Sequence, residues 1–358
     1  MKHQIVIVGG GAAGIAVASS LLKRRPDLDI AIIEPKEKHY YQPGWTMVGG
    51  GVFNFDFTVR SESSCIPKRA KWIKKAAAAF EPDRNAVVIE GGESIAYDYL
   101  IAAPGIKLNW AGVKGLEETL GKNGVTSNYQ PGLASYTWKL VQELEGGKAI
   151  FTQAPLPFKC PGAPQKAMYL SADHWARKRK LDKFKIAFCT AAPAMFGVAA
   201  FVPALLEYVK KYGIETYFGS TLVAVDGAAK KATFKEKDAN GAEREVVRDF
   251  DMLHVCPPQV AADVIRGGPL ADAAGWIDVN QETLQHKKYP NIFALGDACN
   301  TPNSKTAAAA RKQAPTVAEN LLAVMGGAAP EFVYDGYASC PLTVARGKIV
   351  FAEFGYGG

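Results

Sequence analysis

Cys160 stands in Phe158-Lys159-Cys160-Pro161-Gly162-Ala163-Pro164-Gln165-Lys166, with lysines on both sides and a helical pattern starting just beyond it. Helix N-termini and nearby cations favour thiolate over thiol, so the position suits a nucleophilic or redox sulfur. Cys340, in Asp335-Gly336-Tyr337-Ala338-Ser339-Cys340-Pro341, lies on a turn-rich stretch that also ends in proline. Local chemistry leaves both cysteines open between function and packing. The remaining four, at 65, 189, 256 and 299, form no CxxC pair or regular framework. Cys189 reads as core of an apolar strand, Cys256 follows a strand end and Cys65 falls in a serine-rich loop. Cys299, after a Gly-Asp turn, is open between cofactor contact and packing. The five histidines, at 3, 39, 174, 254 and 286, lack metal-gathering spacing, so no metal site is expected.

The elements that must position these groups begin with Ile5-Val6-Ile7-Val8, an apolar run suited to a buried parallel strand. Gly9-Gly10-Gly11-Ala12-Ala13-Gly14 follows at once, a GxGxxG turn that lets backbone approach a pyrophosphate at the start of a helix over 15–23. A second strand, 29–33, ends in Glu34, twenty positions beyond Gly14, where a carboxylate accepts ribose hydroxyls. This combination predicts a dinucleotide site. Asn291-Ile292-Phe293-Ala294-Leu295-Gly296-Asp297-Ala298 resembles the second FAD fingerprint of flavoproteins with two dinucleotide domains. That resemblance implies FAD rather than NAD at Gly9, with Asp297 contacting the ribityl and phosphate region. Leu100-Ile101-Ala102-Ala103-Pro104-Gly105 is similar to the ATG-type strand end of the same superfamily, with Pro104 in place of the usual Thr and Gly105 kept at the turn. Ser304-Lys305-Thr306 precedes an alanine-rich helix whose N-terminal amides suit negative charge on a reduced flavin. Lys305 reads equally as a charge at that site or as a solvated lysine.

The 358 residues include 42 Lys and Arg against 35 Asp and Glu, a net charge of +7 that permits an anionic ligand or a membrane surface without predicting nucleic acid. The expected fold class is α/β, with two Rossmann-like dinucleotide-binding domains of the glutathione-reductase-like flavoprotein kind, the second inserted in the first. The expected division is 1–107 and 263–320 for the FAD domain, 108–262 for the second Rossmann-like domain, and 321–358 for a C-terminal segment carrying Cys340. Within the second domain, strands are expected at 148–153 and 184–190, and helices at 164–179 and 199–212, the latter with Phe201, Leu205, Leu206 and Val209 on one face. Asp238-Ala239-Asn240-Gly241 is a hairpin signal, and the alanine runs at 76–79 and 307–310 read as helix. Neither Pro155-Leu156-Pro157-Phe158-Lys159-Cys160 nor the 190–197 segment can form a glycine turn, so this domain is expected to hold no NAD(P)H.

His39-Tyr40-Tyr41-Gln42-Pro43, the Cys160 segment, 273–279, 282–286, Ser304-Lys305-Thr306 and the Cys340 segment together resemble sulfide:quinone oxidoreductase over nearly the whole chain. The likeness is to the branch that includes the mitochondrial enzymes. It implies that Cys160 and Cys340 bridge over the flavin, as a disulfide or a longer sulfur bridge, and that Gln42 and Pro43 join the cofactor site. Hydrosulfide would open the bridge, leaving a persulfide on Cys340, with Cys160 facing the flavin. Electrons would pass to ubiquinone or menaquinone, and sulfane sulfur to glutathione, sulfite or another sulfide. Other branches use a third cysteine, in whose neighbourhood this chain has Asn128. Glu118 matches a family acidic position and reads equally as an acid–base group or a surface carboxylate. Phe332, Tyr334, Tyr337, Phe351 and Phe354 are open between a quinone entrance and core. Family members continue beyond Phe354 into amphipathic membrane-binding helices, so peripheral attachment, at a bacterial cytoplasmic membrane and without a secretion signal, is expected through a tail absent here. A homodimer stays open. Alternative readings are a sulfide dehydrogenase with a cytochrome partner, an NADH:quinone reductase, and a non-catalytic FAD and cysteine redox sensor.

Overall fold

The computed structural model describes residues 1–237 and 241–358. Its first sheet is built around Lys2–Val8, flanked in parallel by Ile30–Ile33 and Ser94–Ala102. Lys71–Ile73 extends the sheet beyond Ile30–Ile33, and Ile292–Ala294 joins in parallel beside Leu100, Ile101 and Ala102. Buried Ile, Val and Leu fill these strands, as expected of parallel strands covered on both faces. Helices Ala12–Arg24 and Ala307–Met325 pack against each other beside the sheet. The parallel strands end together after Val8, Ile33, Ala102 and Ala294. Ligands of open α/β sheets bind at that carboxyl edge.

A second parallel sheet has the order Val125–Thr126, Met252–His254, Gly147–Gln153, Phe184–Thr190, Glu215–Phe218. The chain enters this unit through Ile106–Leu108 and leaves through Gln259–Ala261, and the two crossings pair as an antiparallel ribbon. The second unit is thus inserted in the first. Strands Lys231–Lys237 and Glu243–Asp249 pair as the hairpin signal requires, while residues 238–240 of the turn lie outside the described residues.

The C-terminal hairpin, Ala338–Ala345 with Lys348–Phe354, packs on helix Ala163–Arg177. Its Cys340, Leu342, Val344 and Ala352 share a core with Met168, Phe188 and Leu205 of the second unit. At the far end of that helix, Asp173 accepts hydrogen bonds from Arg177 Nε, Tyr212 Oη and the Arg346 amide, which grips the hairpin turn.

Several local expectations are corrected. Residues 77–79 belong to strand Ala77–Glu81, paired with Ala86–Ile89, rather than to a helix. Four alanines are too few to nucleate a helix alone, and pairing with Val88 and Ile89 beside the buried Phe80 overrides alanine's weak helix preference. In helix Val202–Tyr212 the buried face is Leu205, Val209 and Tyr212, at i, i+4 and i+7, while Leu206 is exposed. Cys65 closes the short helix Glu62–Cys65 instead of lying in a loop. Cys340 sits within a strand opposite Ala352 rather than on a turn, because its segment closes the second core.

Candidate active site

A cavity of about 340 Å³ runs along the carboxyl edge of the first sheet to the cysteine loop of the second unit. Gly9, Gly11, Ala12, Ala13, Glu34, Gln42, Pro43, Gly105, Gly296, Asp297, Lys305 and Thr306 all line it. The Gly10 amide donates to Glu34 Oε2 at 2.9 Å, and the Lys36 amide to Glu34 Oε1 at 2.8 Å, which fixes the carboxylate at the turn. Gly11 opens directly into space, whereas Gly14 lies outside the lining: a Cβ there would strike the Gly9 carbonyl, so its hydrogen lets helix and turn close together. The Gly296 amide donates to Gln313 Oε1 at 2.7 Å, tying the Gly-Asp turn to helix Ala307–Met325. Burial raises the Asp297 carboxyl above its ordinary value, against the pull of Lys305 and Lys159. Lys305 is held low by burial, with its Nζ donating to Cys299 O at 2.7 Å and resting 4.3 Å from the Trp276 ring centre. Ser304 lines a separate groove with Cys299 and Trp276. Cys299 is buried, and burial pushes its thiol up to about 12.

The sulfur end is built by the loop between Gly147–Gln153 and Ala163–Arg177. Cys160 takes a left-handed conformation there, φ 53°, a strained choice for a residue with a side chain. Its amide donates to Lys305 O at 2.7 Å and its carbonyl accepts from Ala163 at 2.8 Å, so the loop is pinned to the first unit on one side and starts a helix on the other. The Lys159 amide donates to Gln259 Oε1 at 2.9 Å, and the Lys159 ammonium reaches Gln42 Oε1 across the cavity. Cys160 lines the cavity and Cys340 meets it from the hairpin, with Gly162 leaving just enough room for the Cys340 sulfur. Both are free thiols. The Cys340 thiol donates to Cys160, and that hydrogen bond, followed by the Lys166 and Lys159 charges, outweighs burial to hold Cys160 below the usual thiol range. Cys340 is pushed well above it by the same pairing and by burial. The pairing thus favours the negative charge on Cys160 over Cys340, on the side of the lysines. Lys166 Nζ is 3.9 Å from Cys160 Sγ although the residue is buried.

Residues 3–137 match the family model described as pyridine nucleotide-disulphide oxidoreductase. The chain is 44% identical to "Sulfide:quinone oxidoreductase, mitochondrial" of Dictyostelium discoideum over 99% of its own length and 78% of that protein. The mitochondrial protein of the same name from Mus musculus is 41% identical, again over 99% of this chain and 78% of the relative. The chain belongs to the sulfide:quinone oxidoreductase family. The solved sulfide:quinone oxidoreductase of Aquifex aeolicus shares the fold, with a TM-score of 0.83 at 22% identity over 98% of this chain and 87% of that one. Membership in this oxidoreductase family carries a flavin cofactor, and the cavity fits one. Its glycine edge is open, helix amides face it, and its walls hold buried polar atoms without protein partners: Trp45 Nε1 and both amide atoms of Asn128.

Sequence reasoning missed part of the wall: Lys36, Lys38, Thr46, Glu62 and Tyr129 line the cavity, beside His39, Asn128 and Lys159 from segments already singled out. Lys166 carried a legible signal, a lysine in the first turn of the helix after Cys160. Glu118, by contrast, is exposed on helix Leu116–Thr119, which packs against Thr221–Asp226, and is not among the cavity's lining residues. Tyr334 is core, Phe354 packs on Phe196, Phe332 and Phe351 are exposed, and none of the five aromatics lines the cavity. No helix of the described residues is long and apolar enough to cross a membrane. Both relatives carry "mitochondrial" in their names, so a bacterial membrane draws no support from them.

Proposed function

We propose that the cavity holds FAD and that Cys160 and Cys340 carry out sulfide oxidation coupled to a quinone, as the names of the relatives describe. The observation that carries this reading is the contact of the two sulfurs at the end of a dinucleotide cavity, with a buried lysine 3.9 Å from one of them. Starting from the bridged pair, hydrosulfide attacks the Cys340 sulfur. A new S–S bond forms on Cys340, the Cys160–Cys340 bond breaks, and Cys160 departs as thiolate. The less basic sulfur leaves faster, and the lysines at Cys160 make it that sulfur. A nucleophilic acceptor such as glutathione or sulfite then takes the outer sulfur, leaving Cys340 as thiolate. When the two thiolates re-form their bond they release two electrons. Bound FAD would accept that pair and hand it, with two protons, to a quinone. Throughout, Lys305, Asp297 and Glu34 hold and orient the cofactor, and Gly162 sets the approach of the sulfurs.

Anaerobic stopped-flow absorbance tests the reading. Sulfide alone should bleach the flavin of the parent protein, and a soluble quinone should restore it. Cys160→Ser and Cys340→Ser should each abolish the bleaching. Parental rates in both variants would refute the cysteine mechanism, and bleaching by NADH alone would replace it with the NADH:quinone reductase reading.

A further inference from the structure

Glu62 is 2% exposed at the start of helix Glu62–Cys65, a depth at which a carboxyl needs partners. Its amide donates to Glu37 O at 2.9 Å, and its Oε2 lies 3.3 Å from His39 Nδ1. Its Oε1 has no partner. That oxygen turns to the phosphate-type turn, where a Cβ on Gly10 would lie 2.8 Å from it, in the cavity wall shared with Glu34, Lys36 and Lys38. The Gly10 backbone also lies near the His39 ring and favours its charged form, but burial outweighs it and the ring is held below its ordinary value. At 3.3 Å, one proton shared between Glu62 Oε2 and His39 Nδ1 satisfies this contact, and a neutral ring leaves the carboxyl to carry it.

We propose that Glu62 is a proton-dependent latch on the adenosine side of the cofactor: protonated against His39 it accepts the phosphate-bearing half of FAD at Gly10, and ionised it repels it. The proposal rests on the reading of this cavity as an FAD site. The charged and titratable groups facing Glu62 are Glu34 at the end of Ile30–Ile33, Lys36 in the following turn and His39 in strand Lys38–Tyr40. Burial, then Glu34, raises the Glu62 carboxyl to about 7 against the opposing charge of Lys36. Burial holds His39 below its ordinary value, so it offers no compensating charge near neutrality. A pyrophosphate beside this group favours its protonated form further. Linkage then requires FAD binding to take up a proton above neutrality and to weaken with pH, by up to about tenfold per unit.

The test dilutes the holoprotein at pH 6.5, 7.5 and 8.5 (about one-unit steps across the linkage window) and reads released flavin by fluorescence, giving the FAD dissociation constant without turnover. The expected result is a constant that climbs severalfold or more over this range in the parent and stays flat in Glu62→Gln. A flat parent profile, or the parental slope persisting in Glu62→Gln, would overturn the latch, the latter by pointing to another group in the cavity such as Cys160. A flat parent profile overturns the latch even where this variant fails to fold, and Glu62→Asp, which keeps a titrating group but draws it back from Gly10, should then shift the slope along the pH axis; an unshifted slope overturns the latch as well. A preparation that carries no flavin at any pH would overturn the FAD cradle itself, and with it the latch.

Discussion

Replacing Lys166 by Met isolates the electrostatic cause of the Cys160 thiolate, because methionine preserves much of the buried stem while removing the charge. At 3.9 Å, two unit charges in an effective dielectric of about 20 attract by about 4 kcal/mol, equivalent to about 3 pKa units. Lys159 and the Cys340 hydrogen bond remain in the variant, so the thiol should still titrate, but higher. The sign follows from the direction of the shift. A lowered thiol pKa makes the thiolate available down to lower pH, and removing the cation raises the pH at which it appears. At any pH below both values the thiolate population should fall by between about 10-fold and 1000-fold, the lower figure allowing for reorganisation around the lost charge. Iodoacetamide alkylation of the reduced protein, followed by mass spectrometry of the Cys160 peptide across pH, measures this directly. The alkylation profile should move to higher pH by at least about one unit. A profile that stays in place would refute the argument that Lys166 stabilises the thiolate, and would leave the Cys340 hydrogen bond as its source.

Two further outcomes are expected. Gly162→Ala places a methyl group against the Cys340 sulfur, and should slow sulfide-dependent flavin bleaching by at least about tenfold while leaving flavin content unchanged, as checked by stopped flow and the visible spectrum. Glu118→Gln alters an exposed carboxylate outside the cavity, and should leave the pH–rate profile of sulfide oxidation superimposable on the parent's; a displaced limb would return Glu118 to the reaction.

What the sequence displayed of this site was the part written into contiguous backbone. The run from Ile5 to Gly14 encodes a strand, a turn and a helix within ten residues, and the Gly296-Asp297 turn follows its own strand in the same way. Such motifs fold by local geometry, and both line the cavity. The sulfur site is different in kind. Cys160 and Cys340 meet because a hairpin after the first unit packs back on the second unit's core, a contact that no local spacing announces. Their pairing was legible only through family resemblance. The same holds for Glu62 and His39, brought to Gly10 from the pair of short strands Lys38–Tyr40 and Val59–Ser61 and the helix that follows. Resemblance and geometry also part at Glu118, which matches a family position but is exposed and is not among the residues that line the cavity. Residues 77–79 misread for a simpler reason: alanine's helix preference is a few tenths of a kcal/mol, about what one strand pairing overturns.

The two units use one piece of topology for two chemistries. In the first, the central strand Lys2–Val8 runs through a three-glycine turn into helix Ala12–Arg24, and the turn's bare backbone lines the cavity. In the second, the equivalent central strand Gly147–Gln153 runs through residues 154–162 into helix Ala163–Arg177. That longer loop spends its backbone elsewhere. Prolines at 155, 157 and 161 remove donors, Phe158 is buried, and the Lys159 and Cys160 amides are bonded to Gln259 and Lys305. What the loop presents to the cavity is the Cys160 sulfur. Introducing glycines at 155 and 157 should therefore not create a nucleotide turn, because the Lys159 and Cys160 amides stay committed to Gln259 and Lys305. The same commitment holds Cys160 in its strained conformation beside Lys166. The bonds that occupy this crossover's amides are the ones that aim its sulfur at the first unit's cavity.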